Sequence, residues 1–169
     1  DYKPEEKIVV SENTDRVYFK KDTFDLLIWN IGYAGLGDDM SFFYDGGEKV
    51  RTSKERTGSN LRAIIENIQG YNEPDFIMLQ EVDRHSKRSY YINGYDFIRN
   101  NFPNYSNTFA YNYKVGFVPA PVNKPLGRVE GGLMTLNKMS PERSIRYSFP
   151  GNFSWPKSLF MLDRCFLTS

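Results

Sequence analysis

A single cysteine among 169 residues rules out an internal disulfide. Cys165 therefore says little about redox compartment, and inside the Leu162–Leu167 run it reads as a small buried hydrophobe. No apolar stretch approaches the roughly 20 residues that a membrane-spanning helix needs, and no signal peptide is visible. The chain opens Asp-Tyr-Lys-Pro without a methionine. That is compatible with removal of a leader or anchor, and so with a secreted or membrane-anchored periplasmic protein. Charge of one sign is not in excess either. The formal net charge is +1, so the chain is no polycation and bulk electrostatics do not argue for nucleic acid. No internal repeat, low-complexity tract or long linker divides the sequence. Its length is that of one domain with room for a real core.

What is present is aromatic and locally patterned, with twelve Tyr and thirteen Phe. Two apolar blocks stand out, Phe24 to Ile31 and Asp75 to Val82. Short uninterrupted apolar runs of this kind read as strands buried on both faces. The first ends in the amide of Asn30, the second in Gln80-Glu81. Between them Leu61, Ile64, Ile65 and Ile68 recur at helical spacing, with Ser59-Asn60 as the cap and Gly70 at the C′ position. A strand–helix–strand crossover makes the two strands parallel neighbours. Asn30 and Glu81 then lie side by side at the carboxyl edge, where open α/β sheets place their ligands. Two oxygen ligands at one sheet edge suit a hard cation such as Mg²⁺.

The remaining chain reads as supporting structure and loops. Residues 1–23 form a loosely held arm, Asp1 to Glu12, followed by an edge strand at Arg16–Lys20; residues 24–169 form the domain proper. Asp38, Asp39 and Asp45 fall in a glycine- and aromatic-rich loop and read as solvated, while Lys49–Gly58 reads as charged and mobile. A short helix is expected at Asp96–Asn101, and further strands at Tyr105–Tyr113, Glu130–Asn137, Ser144–Phe149 and Ser158–Thr168. From Asp83 to Arg128 there are seven Lys or Arg against two acids, and ten Tyr or Phe. Within it, the Arg84–Arg88 group and Lys114 are candidates for phosphate contact, because an Arg fork matches phosphate oxygens and Lys acts as a point charge. The competing reading is a solvated charged loop.

On its residues alone Glu81 reads equally as a metal ligand or as a strand-end carboxylate paired with Arg88. Asn30 alone reads as readily as a turn residue. His85, the only histidine, reads as a solvated or outlying group rather than a general base.

Leu-Leu-Ile-Trp-Asn-Ile, then a helix, then Pro-Asp-Phe-Ile-Met-Leu-Gln-Glu-Val resembles the opening half of the endonuclease/exonuclease/phosphatase superfamily, the DNase I-like fold. Gly131-Gly132-Leu-Met-Thr-Leu-Asn-Lys138 looks like a later core strand of that family, and Asp163-Arg164 falls where it often has an arginine. The resemblance runs from about Phe24 to the end. It implies an α/β (α+β) β-sandwich flanked by helices, here an incomplete amino-terminal half. It also implies a Mg²⁺- or Mn²⁺-dependent hydrolase of phosphoesters, most of all phosphodiesters, with Glu81 and Asn30 as catalytic and metal-contacting residues. Arg88, Tyr111, Asn112, Tyr113 and Lys114 are then substrate-binding. Nucleic acid, phospholipid headgroups and inositol phosphates all fit the superfamily as substrates. The family's histidine strand, Gly-Asp-x-Asn block and terminal Ser-Asp-His block have no counterpart in this sequence. The chain is therefore expected to be inactive alone and to need a complementary carboxyl-terminal fragment. The rival expectation is a noncatalytic binding module that keeps half of the fold. Either way an exposed apolar sheet face is expected.

Overall fold

The structure, a computed structural model, describes residues 2–14, 20–38, 40, 49, 51–151, 154, 156–157 and 161–169. Its class is α+β, with two α-helices and two sheets among the described residues, one of the sheets mixed. The larger sheet runs in the order β2 (Leu26–Asn30), β3 (Phe76–Asp83), β5 (Gly127–Asn137), β4 (Ser106–Val118). β2 and β3 are parallel neighbours in the register Leu26↔Phe76 to Asn30↔Gln80, and the remaining pairs are antiparallel. The smaller sheet is antiparallel, in the order β1 (Lys7–Glu12), β6 (Arg143–Ser148), β7 (Cys165–Thr168).

Two helices, α1 (Lys54–Gln69) and α2 (Gly94–Asn101), cover one face of the larger sheet. The 3.6-residue spacing of Leu61, Ile64, Ile65 and Ile68 puts all four on one side of α1. There they bury against Ile77, Leu79 and Val82 of β3 and Met134 and Leu136 of β5. Each such side chain contributes roughly 1.5–3 kcal/mol on burial. The smaller sheet stands over the other face. Arg146 of β6, only 1% exposed, ties the two layers together. It donates from Nε to the Tyr111 carbonyl (2.8 Å), from one terminal nitrogen to the Asp163 carbonyl (2.9 Å) and from the other to Ser148 Oγ (2.6 Å). A buried guanidinium is tolerable only with its donors satisfied in this way. Cys165 is buried beside it, Sγ 3.6 Å from the Tyr111 oxygen, and burial pushes its thiol pKa up.

Several expectations change. β2 and β3 are not buried on both faces: Leu26 is 56% and Ile28 65% exposed. The helices cover only one side, and the smaller sheet touches the larger through β4, leaving the far face of β2 and β3 open. The cap of α1 is Ser53, whose Oγ accepts from the Arg56 N–H (3.1 Å), rather than Ser59-Asn60. Residues 54–58, expected to be mobile, are therefore helical, since one glycine at 58 costs a helix only about 1 kcal/mol. Gly70 does follow the helix, but in a right-handed conformation. Lys7–Glu12, read as a loose arm, is a strand held by β6. The strand at Ser106 continues to Val118, beyond Tyr113. The last strand spans only Cys165–Thr168, and residues 161–164 are not strand. Residues 16–19 of the expected edge strand, with Asp39, Asp45 and residues 158–160, lie outside the described residues, and Lys20 is not strand. Asp38 is exposed and paired with Arg56 (2.5 Å). No described helix is long and apolar enough to cross a membrane.

Candidate functional site

β2 ends at Asn30, and its side chain faces two ways. Its Oδ1 accepts the Gly32 N–H (2.9 Å), while its Nδ2 donates to Glu81 Oε1 (3.0 Å). The chain then makes a left-handed turn through Gly32, Tyr33 and Ala34, with φ of 51°, 45° and 54°. Such a run is rare for residues with a Cβ. α1 braces it, with Asn60 Nδ2 donating to the Ala34 carbonyl (3.0 Å). The turn lays the Tyr33 ring across Gly35, where a Cβ would stand 2.4 Å from the ring.

β3 brings Glu81 to the same place through a bulge. Leu79 pairs with Met134 and Val82 with Gly132, so Gln80 and Glu81 share the space of one residue, and Glu81 takes φ 56°. Bulges of this kind re-aim a side chain at a strand end. Two residues on, Asp83 is 2% exposed and holds Arg88 in a two-point fork, Nε to Oδ2 at 3.0 Å and a terminal nitrogen to Oδ1 at 2.8 Å. The Arg88 guanidinium lies over the Tyr33 ring, 3.9 Å from its centroid. Burial raises the Tyr33 pKa, and the Glu81 and Asp83 charges add to that against the pull of Arg88. The phenol therefore stays protonated through the neutral range.

The glycine pair of β5 has a steric explanation here. A Cβ on Gly131 would stand 2.6 Å from Asp83 Oδ1 and 3.2 Å from Arg88, and one on Gly132 would stand 2.0 Å from the Ala110 carbonyl oxygen. The first glycine makes room for the buried ion pair, the second for the neighbouring strand.

Asn30, Tyr33, Glu81 and Arg88 line one part of a trough of about 940 Å³ between the two sheets, with Ile28 and Met78 among its apolar walls. Asn112 and Tyr113 also line it, and Tyr113 packs with Val118 and Val129 at 7% exposure. Tyr111 and Lys114 do not join them. A bulge at Asn112 interrupts the alternation of β4, and both side chains meet the aromatic cluster on the sheet's helix-covered face. Lys114 Nζ sits 4.8 Å from the Tyr111 ring centroid, and Tyr111 packs edge-on against Phe109. Arg84 caps the same cluster, 4.6 Å from the Tyr95 ring and 5.3 Å from that of Phe109. His85 is exposed with its ring against Tyr91 (4.8 Å). The five residues expected to bind substrate thus divide between two faces, Arg88, Asn112 and Tyr113 on the trough and Tyr111 and Lys114 on the other.

Sequence reasoning did not single out Tyr33 or Asp83. The Asp-x-x-x-x-Arg spacing of Asp83 and Arg88, beside a glycine pair on the next strand, is the signal that carried the second. Arg88 is engaged by Asp83, not by Glu81. Among the described residues Glu81 Oε2 has no hydrogen-bond donor, and no three His, Cys, Asp or Glu side chains converge on one point. A Mg²⁺ ion fits such a set, because it is held by one or two carboxylates and keeps waters or substrate oxygens for the rest of its shell. Compared with family models, curated proteins and solved structures, the chain matches none.

Proposed function

We propose that the complete protein is a Mg²⁺- or Mn²⁺-dependent phosphoester hydrolase, most of all a phosphodiesterase, of the endonuclease/exonuclease/phosphatase type with a DNase I-like fold. This chain supplies the metal and phosphate side of its site. One observation carries this: Glu81, swung out on a bulge, keeps one carboxylate oxygen for a ligand while Asn30 fixes the other. Both residues line the trough, where a ligand can reach them. Bound at Glu81, the cation would polarise a phosphoryl oxygen and steady the leaving oxygen. In this geometry Asn30 orients the carboxylate, and Arg88, held by Asp83, adds positive charge beside it. Nucleic acid, a phospholipid headgroup and an inositol phosphate remain the candidate substrate classes. The isolated chain is read as inactive, with a complementary carboxyl-terminal fragment as its partner.

Two measurements test the proposal. Mg²⁺ titrated calorimetrically into the protein binds in the wild type and not in Glu81→Gln. The complete protein hydrolyses bis(p-nitrophenyl) phosphate, and EDTA abolishes the turnover. Turnover that survives EDTA, or wild-type turnover in Glu81→Gln, sinks the proposal. The exposed faces of Leu26 and Ile28 favour a second reading, a noncatalytic module that uses the open sheet face for association. Mg²⁺ binding without turnover in the complete protein would select it.

A further inference from the structure

Three residues with a Cβ take left-handed backbone conformations around Asn30: Tyr33, Ala34 and Glu81. Such outliers persist only where the surroundings over-determine them, and they concentrate at working sites. Glu81 has a reason within the proposed site, but Tyr33 does not yet have one. Its ring is fixed from both sides, by Gly35 beneath and by the Arg88 guanidinium at 3.9 Å. Arg88 is itself immobilised by two bonds to Asp83. A ring needed only to cover an arginine has no use for a hydroxyl. Yet Tyr33 lines the trough beside Asn30, Glu81 and Arg88, and its hydroxyl has no hydrogen-bond partner among the described residues.

We propose that Tyr33 is a substrate-contacting residue that donates its hydroxyl proton in a hydrogen bond to a non-bridging oxygen of the phosphoryl group held at Glu81. The inference rests on the metal phosphoesterase reading and adds a specific donor to it. A neutral donor suits this position. It can approach a phosphate oxygen next to the Glu81 carboxylate without bringing a second negative charge, and the stack on Arg88 fixes where it points. Both Glu81 and Asp83 disfavour its ionised form. Together the rigid phenol and the pinned guanidinium present two fixed groups to the anion from one side, at little entropic cost on binding.

The experiment is calorimetric titration of inorganic phosphate into the full chain at saturating Mg²⁺, for wild type, Tyr33→Phe and Glu81→Gln. Tyr33→Phe keeps the ring on Arg88 and removes only the hydroxyl, so its melting temperature should equal that of the wild type. A hydrogen bond to a charged oxygen is worth about tenfold or more in affinity, and phosphate should bind Tyr33→Phe at least about tenfold more weakly. Equal affinity in Tyr33→Phe and wild type overturns the inference and leaves the metal reading standing. Wild-type protein that binds no phosphate overturns it as well. Phosphate affinity indifferent to EDTA and to Glu81→Gln overturns the metal reading, with Tyr33 still judged by its own variant.

Discussion

The parallel pair β2–β3 carries a carboxylate at each end, and the two are treated in opposite ways. At the amino end Asp75 is buried, its side chain 4% exposed. It takes the Lys21 ammonium and the Asp25 N–H (2.8 Å), while the Phe76 N–H returns to the Asp25 carbonyl (3.1 Å). Lys21 and the Asp25 N–H both land on Oδ2, so that carboxylate is committed to an ion pair and joins the two strands where they begin. At the carboxyl end Glu81 is half-buried, sits on a strained bulge and receives one hydrogen bond. The difference separates a carboxylate that holds the fold from one that is held by it. A half-buried group with one partner at a strained position is available to a ligand, whereas one buried in an ion pair is not.

The open end depends on a closed layer beneath it, and the largest expected effect lies there. Asp83→Ala leaves the buried Arg88 charge without its partner, which costs about 3–5 kcal/mol. Urea denaturation should show a loss of that size; a loss below about 1 kcal/mol would break the distinction between frame and site. Next comes Glu81→Gln. Because Glu81 carries no structural partner beyond Asn30, its urea midpoint should stay near wild type, within about 0.5 kcal/mol. Turnover by the complete protein should fall by roughly 10²–10³. If Glu81→Gln unfolds as easily as Asp83→Ala, the two carboxylates belong to one structural unit and the contrast fails.

Part of this was legible in the sequence. The apolar runs at Phe24–Ile31 and Asp75–Val82, with the helical period between them, were enough to pair β2 with β3 and to set Asn30 beside Glu81. These signals are local and periodic, and a crossover leaves one arrangement. The bulges were not legible, because β3 is an apolar run with no alternation to break and in β4 the alternation continues on either side of Asn112. Without the bulge at Asn112, Tyr111 and Tyr113 would share a face, as the sequence suggested; with it, they part. The left-handed turn at Gly32–Ala34 was hidden for a related reason: one glycine announced it, and the tyrosine and alanine that follow ordinarily avoid that region. Burial on both faces of β2 could not be judged from its own residues, because it depends on where the second layer stands. The early start of α1 was masked by Gly58-Ser59, which look like a break until Ser53 is seen to cap the helix.

The smallest expected effect is at the closed end, and pH exposes it. The hydrogen bond from Lys21 and then that from the Asp25 N–H hold the Asp75 carboxyl below its ordinary value of 3.8. A carboxyl whose folded pKa lies below its unfolded one stabilises the protein at pH values above the unfolded value. That contribution fades as pH falls through about 4 and is gone below the folded pKa. Asp75→Asn keeps an oxygen for the Asp25 N–H and gives up only the charge. At pH 7 it should therefore be less stable than wild type, and the gap should close as the pH is lowered past about 4. Urea midpoints at pH 7 and pH 3 read this directly, and Mg²⁺ affinity at pH 7 should not change. A gap that persists at pH 3 would mean that Asp75 acts by shape, not by charge. A change in Mg²⁺ affinity would mean that the two ends are coupled along the strands, and the division of labour between them would have to be withdrawn.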